Sequence, residues 1–218
     1  MTLDVPGAGT VSSQLDRPPG AWLVYLLAHG AGAGMHHPFL ERIAEALGAR
    51  GIATYRYQFP YMERRSRRPD PPDRAMATIR AAAAAVRGVA ADLPMIAGGK
   101  SFGGRMTSTA QAEEPIPGVS GLVFLGFPLH APNRVDNRRG AHLADVRIPM
   151  LFLQGTRDPL ADLTLLRPLC DRLGDRATLH VVDDGDHSFN VRKRSGRSGD
   201  AVTDELTAAV AVWARGIL

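Results

Sequence analysis

Cysteine is nearly absent: Cys170 is the single one in 218 residues. One thiol excludes an internal disulfide and any metal site built on several thiolates. Its leucine-rich surroundings make it a small buried hydrophobe. Aromatic residues are also scarce, at 6%. A nucleic-acid partner would call for a basic face interleaved with aromatics, and the formal net charge is only +4. The arginines are scattered, with local clusters in 64–68 and 192–197, so no nucleic-acid partner is expected. Long hydrophobic runs are missing too. The apolar stretches stay under about ten residues, against the roughly twenty needed to cross a bilayer, so no membrane partner is expected. The opening Met1-Thr2-Leu3-Asp4-Val5-Pro6-Gly7 lacks a basic region followed by an apolar one, and a cytoplasmic location follows as the expectation.

What the chain does have is alternation. Residues 21–28 form a near-continuous apolar run that ends at His29-Gly30, the pattern of a strand buried on both faces. Similar runs at 52–57, 94–99, 121–125, 150–153 and 177–182 predict five further strands. Between them lie helical patterns. Phe39, Ile43 and Leu47 share a face in 38–50. A helix from Asp73 carries Met76, Ile79, Val86 and Val89 on one side, with five alanines at 81–85 inside it. Further helices are predicted over 102–112, over 163–173 with a kink at Pro168, and over 201–218 with Val202, Leu206, Val210, Trp213 and Ile217 on one stripe. Residues 2–5 and 10–14 add antiparallel edge strands. Strands interleaved with helices predict one α/β domain over 1–218, with a mostly parallel sheet of six to eight strands covered on both faces.

The chemistry centres on Gly99-Lys100-Ser101-Phe102-Gly103, flanked by Gly98 and Gly104. This G-x-S-x-G pattern follows a predicted strand and opens a predicted helix, the context of a nucleophile elbow on an α/β-hydrolase fold. A phosphate loop is excluded, because Lys100 precedes the serine and the Walker spacing is missing. Serine is a weak nucleophile without a base. His187, in a polar loop after the last strand, is the candidate. Asp158, after the 150–153 strand, is the orienting carboxylate, with Asp162 as its rival. The chain order Ser101, Asp158, His187 is the order this fold uses. The acidic run at 183–186 reads as turns in a solvated loop. Acyl transfer also needs donors for an oxyanion. The Phe102 backbone N–H is one; Ala31 in the loop His29-Gly30-Ala31-Gly32-Ala33-Gly34 supplies the other, with Gly32 as the alternative. This chemistry calls for no metal and no organic cofactor.

Taken in order, His29-Gly30-Ala31, the segment from Gly98 to Arg105, Phe127-Pro128-Leu129-His130-Ala131-Pro132, Gly155-Thr156-Arg157-Asp158 and Asp186-His187-Ser188 resemble the compact α/β-hydrolases related to dienelactone hydrolase. Within them they look most like the subgroup with a testis-expressed hydrolase-like protein and a subunit of the nonspecific-lethal histone-acetylation complex. The resemblance implies a Ser-Asp-His arrangement on a small acyl substrate. Dienelactone hydrolases use a cysteine where this chain has Ser101. His29, Lys100 and His130 are candidate substrate-binding residues, with His130 at the site rim. Only about twenty residues, 129–147, stand where larger relatives insert a lid, so an open site without a lid domain is expected. The function expected is a serine hydrolase of carboxylic esters, thioesters or small lactones. The alternatives are a catalytically silent interaction module and an anion or RNA site at Arg192-Lys193-Arg194 and Arg197, a loop that reads more simply as solvated.

Overall fold

The computed structural model describes residues 1–66, 68–131 and 136–218. Arg67 of the 64–68 cluster and Pro132 of the resemblance, with the part of the 129–147 connection at 132–135, lie outside the described residues. Eight strands form one sheet: β1 (Thr2–Val5), β2 (Gly9–Asp16), β3 (Leu23–Ala28), β4 (Ile52–Tyr57), β5 (Met95–Lys100), β6 (Val119–Leu125), β7 (Met150–Gly155) and β8 (Ala177–Val182). Their spatial order is β1-β2-β4-β3-β5-β6-β7-β8. The two pairings that involve β2 are antiparallel, and the others are parallel. All six predicted core strands are present, and so are the strands predicted at 2–5 and 10–14, although of these two only β1 lies at the sheet edge and β2 sits between β1 and β4. The apolar runs are continuous because helices cover both faces. In β3, Leu23, Tyr25 and Leu27 face one apolar cluster while Val24, Leu26 and Ala28 face the other.

On the first face lie α1 (Pro38–Gly48) and α6 (Gly199–Ile217). They contribute Phe39, Ile43 and Leu47, and Val202, Leu206 and Val210, to the buried cluster. A one-turn helix α2 (Pro60–Glu63) follows β4, and α3 (Pro72–Val89), α4 (Phe102–Glu113) and α5 (Leu163–Leu173) cover the opposite face. Ala82 and Ala83, with Met76, Ile79 and Val86, form the inner side of α3. Small side chains there let the helix approach the sheet closely.

One expectation is corrected. Val89 is 40% exposed, because it lies off the inner side of the last turn of α3, where Val86 and Ala90 are buried. Pro168 lies inside α5, which spans Leu163–Leu173. The chain otherwise follows the predicted pattern, with boundaries shifted by one or two residues at several element ends. Among the described residues no helix is long and apolar enough to cross a membrane.

In the parallel strands every chain leaves toward the same edge. The strand order reverses about β3, which has β4 on one side and β5 on the other. Such a reversal opens a crevice at the carboxyl ends of the strands. The loops after β3, β5, β7 and β8 converge there.

Candidate active site

Ser101 sits between β5 and α4 with φ 50° and ψ −114°. A left-handed backbone at a residue with a Cβ costs on the order of 1–3 kcal/mol. It is the N-cap of α4 but makes no side-chain capping bond, so its hydroxyl is left to face outward. The turn is tight enough to demand glycine on either side. A Cβ at Gly99 would lie 2.1 Å from the Ala28 carbonyl oxygen, and one at Gly103 2.5 Å from that of His29. The elbow is therefore pressed against the end of β3, where the next loop begins.

His187 arrives from the loop after β8. Its Nε2 is 2.9 Å from Ser101 Oγ, and its Nδ1 is 2.7 Å from Asp158 Oδ2. The carboxylate of Asp158 is fully buried. Besides His187, it accepts from Gln154 Nε2 at 2.5 Å and from the Leu160 N–H at 2.8 Å. Gln154 is itself buried, and its Oε1 accepts from the Phe127 N–H. That contact fixes which end of the amide faces Asp158. Asp162, the rival acid, instead caps α5 by accepting from the Thr164 N–H at 2.8 Å. The structure thus brings Ser101, His187 and Asp158 into one hydrogen-bonded line.

The acidic run beside His187 differs from its predicted solvated state. Asp186 does form a turn, with Oδ1 accepting from the Ser188 and Asn190 N–H groups. Asp184 is buried and bound to Arg192, both through its N–H at 2.7 Å and through its guanidinium at 2.5 Å. Arg192 holds the Asp184 carboxyl down to about 2. Arg197 bonds Glu205. Two arginines of the basic loop are therefore spent on internal partners.

The loop after β3 is pinned by the segment after β4, a brace that the sequence reading missed. Gly32 N–H donates to Tyr61 Oη at 2.8 Å, Met35 N–H to Gln58 Oε1 at 3.0 Å, and Phe59 N–H to His29 Nε2 at 3.1 Å. Tyr61 N–H in turn donates to the buried carboxylate of Asp70. Gly32 therefore already has an acceptor. Ala31 lines the same cleft as Ser101.

His29 and His130 are corrected as substrate ligands. His29 is fully buried, with Nδ1 on the Gly30 carbonyl and Nε2 on Phe59. Burial lowers its pKa to about 4, so it stays neutral. His130 is 3% exposed, with Nδ1 on the Ala131 carbonyl and Nε2 accepting from the Asp162 N–H. Both rings tie loops together, with no ring nitrogen left over. Lys100 does line the cleft, but its Nζ donates to the His187 carbonyl at 2.6 Å. The cleft itself is about 340 Å³, walled by Ala31, Ala33, Phe39, Leu40 and Leu160.

Residues 22–215 match the family model described as an alpha/beta hydrolase domain. Among solved structures, a dienelactone hydrolase from Anabaena variabilis has a TM-score of 0.79 at 22% identity, covering 100% of this chain and 96% of that one. A lidless serine hydrolase from Xanthomonas campestris has a TM-score of 0.75 at 24% identity, covering 98% and 93%. An alpha-beta serine hydrolase homologue from Coxiella burnetii has a TM-score of 0.76 at 18% identity, covering 100% and 96%. At these identities the likeness to the three structures is one of fold. With the family model spanning nearly the whole chain, the protein belongs to the α/β-hydrolase domain family.

Proposed function

We propose that the protein is a serine hydrolase of carboxylic esters, thioesters or small lactones. The observation that carries this is the line Ser101 Oγ–His187 Nε2 and His187 Nδ1–Asp158 Oδ2, at 2.9 and 2.7 Å. Ser101 Oγ attacks the acyl carbon while its proton passes to His187 Nε2. The bond to the leaving alkoxide or thiolate then breaks, and His187 returns the proton to it. Water repeats the sequence on the acyl-enzyme and releases the acid. Asp158 holds the ring with Nδ1 protonated and stabilises the imidazolium. The N–H groups of Phe102 and Ala31 receive the oxyanion, and the N-terminal end of α4 adds a favourable field. We keep the closer likeness to the testis-expressed and nonspecific-lethal subgroup as part of this reading, on the Gly98-to-Arg105 and Phe127-to-His130 segments.

A fluorophosphonate probe tests the reading. Oγ–P forms, P–F breaks, fluoride leaves, and the hydroxyl proton passes to His187. Stoichiometric labelling of Ser101 at neutral pH is the expected result. No labelling would sink the proposal in favour of a catalytically silent module. The size of the cleft sets a second expectation. At about 340 Å³ it holds the volume of roughly ten waters, enough for a short acyl group. Each buried methylene contributes about 0.8 kcal/mol, and that gain ends where the chain leaves the cleft. In a series of acyl esters, kcat/KM should peak at chains of about four to six carbons and fall for long ones.

The brace on the oxyanion loop gives a further expectation. Tyr61→Phe leaves the Gly32 N–H without its acceptor, which costs about 1 kcal/mol. Urea denaturation should show a lower midpoint. Turnover should fall several-fold as the loop bearing Ala31 loosens, and unchanged kcat would count against Ala31 as a donor.

A further inference from the structure

Three chain segments meet beside Ser101 with a buried cation between them. Lys100 ends β5 and is only 9% exposed. Among the described residues, the hydrogen-bond acceptor of its Nζ is the main-chain carbonyl of His187, at 2.6 Å. Gly126, just past β6, closes the third side. A Cβ there would stand 3.0 Å from Lys100 Nζ, 3.3 Å from the His187 oxygen and 3.4 Å from His187 Nδ1. The rings of Phe39 and Phe189 lie 6.0 and 5.8 Å from the ammonium. The carboxylates of Asp158 and Asp186 act on it from the loops after β7 and β8. Asp184 in the same loop is taken by Arg157 and Arg192, and His37 lines the cleft from the start of α1.

This cation is a poor stabiliser. Burial lowers the Lys100 pKa to about 8, and the pull of Asp158 and Asp186 only partly opposes it. The native value lies below the ordinary lysine value, so the unfolded chain binds more protons between the two. Stability therefore rises with pH through that interval, and the charged form costs stability below it. An apolar side chain of similar length would avoid that cost but would leave the His187 carbonyl without its donor. The two effects oppose each other, so the net effect of the ammonium on stability is small.

We propose that Lys100 is a positioning residue for His187: its ammonium ties the His187 carbonyl to the residue that precedes the nucleophile, and so sets the reach from Nε2 to Oγ. The proposal rests on the Ser101–His187–Asp158 reading. A displacement of about 1 Å in such a constellation can cost on the order of 100-fold in rate, so a short tether at this point has a large lever.

The test uses the full chain as wild type, Lys100→Met and Lys100→Arg, and reads the rate of fluorophosphonate reaction at Ser101 together with the melting temperature. At pH 7, Lys100→Met should react about ten-fold slower while melting within a few degrees of the wild-type temperature. Lys100→Arg keeps a donor and should recover most of the rate. The wild-type rate should fall as pH rises through about 8, where the ammonium loses its charge, and Lys100→Arg should lack that fall. A Lys100→Met rate within two-fold of wild type would overturn the proposal. So would a rate loss in both variants that tracks a fall in melting temperature, the mark of a merely structural residue. If wild type itself fails to react at Ser101, the triad reading fails and the tether with it. If wild type and Lys100→Met react alike, the tether alone fails.

Discussion

Ser101→Ala is expected to lower turnover of short acyl esters by about 10⁴-fold or more while leaving the fold in place. The alanine keeps a Cβ at φ 50°, so the backbone strain is unchanged and only the hydroxyl bonded to His187 is lost. Ser101→Gly separates strain from chemistry more sharply. Glycine adopts this conformation freely, so relief of strain outweighs the added freedom of the unfolded chain, and the variant should be up to about 1 kcal/mol more stable than wild type. It should be as inactive as the alanine variant. A site whose strained residue can be replaced with a gain in stability and a loss of activity is one where stability was given up for reactivity. Denaturant unfolding and ester hydrolysis on the same samples check both halves. Retention of wild-type turnover by either variant would remove Ser101 from the reaction. A Ser101→Gly protein less stable than wild type would show that the turn is held by the hydroxyl and not opposed by the backbone.

That residue was also the most legible one in the sequence, for physical reasons. The glycines around Ser101 are forced by close approach of main chain to main chain, and such constraints leave fixed residue types at fixed spacing. The central strands were legible because helices on both faces favour apolar residues at successive positions, most completely in 23–28. The brace from Gln58 to Tyr61 was not. It joins two loops about thirty residues apart through single hydrogen bonds, and nothing periodic marks it. Tyr61 beside Pro60 was a detectable hint, since a buried tyrosine hydroxyl needs a partner, but its partner could not be named. His29 and His130 were misread for a related cause. His29 directly follows β3 and His130 lies in the loop after β6, positions where a side chain can turn toward the cleft or back into the loops. Both turn back, because the Phe59 and Asp162 N–H groups would otherwise lack acceptors. In the sequence, the place of Asp158 just after β7 favours it over Asp162; in the structure Asp158 bonds His187 Nδ1 and Asp162 caps α5. Gln154 passed unnoticed, though it lies in β7 four residues before Asp158.

Gln154 bears on the second large effect, that of Asp158→Asn. The carboxylate faces donors on both oxygens: Gln154 Nε2 and His187 Nδ1 on Oδ2, the Leu160 N–H on Oδ1. An asparagine has one oxygen and one NH₂, so either orientation puts donor against donor. With NH₂ in the Oδ2 position it meets Gln154, whose orientation is fixed by the Phe127 N–H. It can then bond the ring only if Nδ1 is unprotonated, which leaves the proton on Nε2 pointing at Ser101. With NH₂ in the Oδ1 position it meets the Leu160 N–H, and the ring keeps its tautomer but loses the negative charge that stabilises the imidazolium. Both outcomes disable the base, and kcat is expected to fall on the order of 10⁴-fold with KM little changed. The unmatched donors should also lower unfolding stability by about 1–3 kcal/mol. Steady-state kinetics with a short acyl ester and denaturant unfolding measure the two effects. Asp162→Asn, which alters only the cap of α5, should leave kcat within a few-fold of wild type. If instead Asp162→Asn proved the crippling change and Asp158→Asn the mild one, the orienting acid would be the rival residue after all.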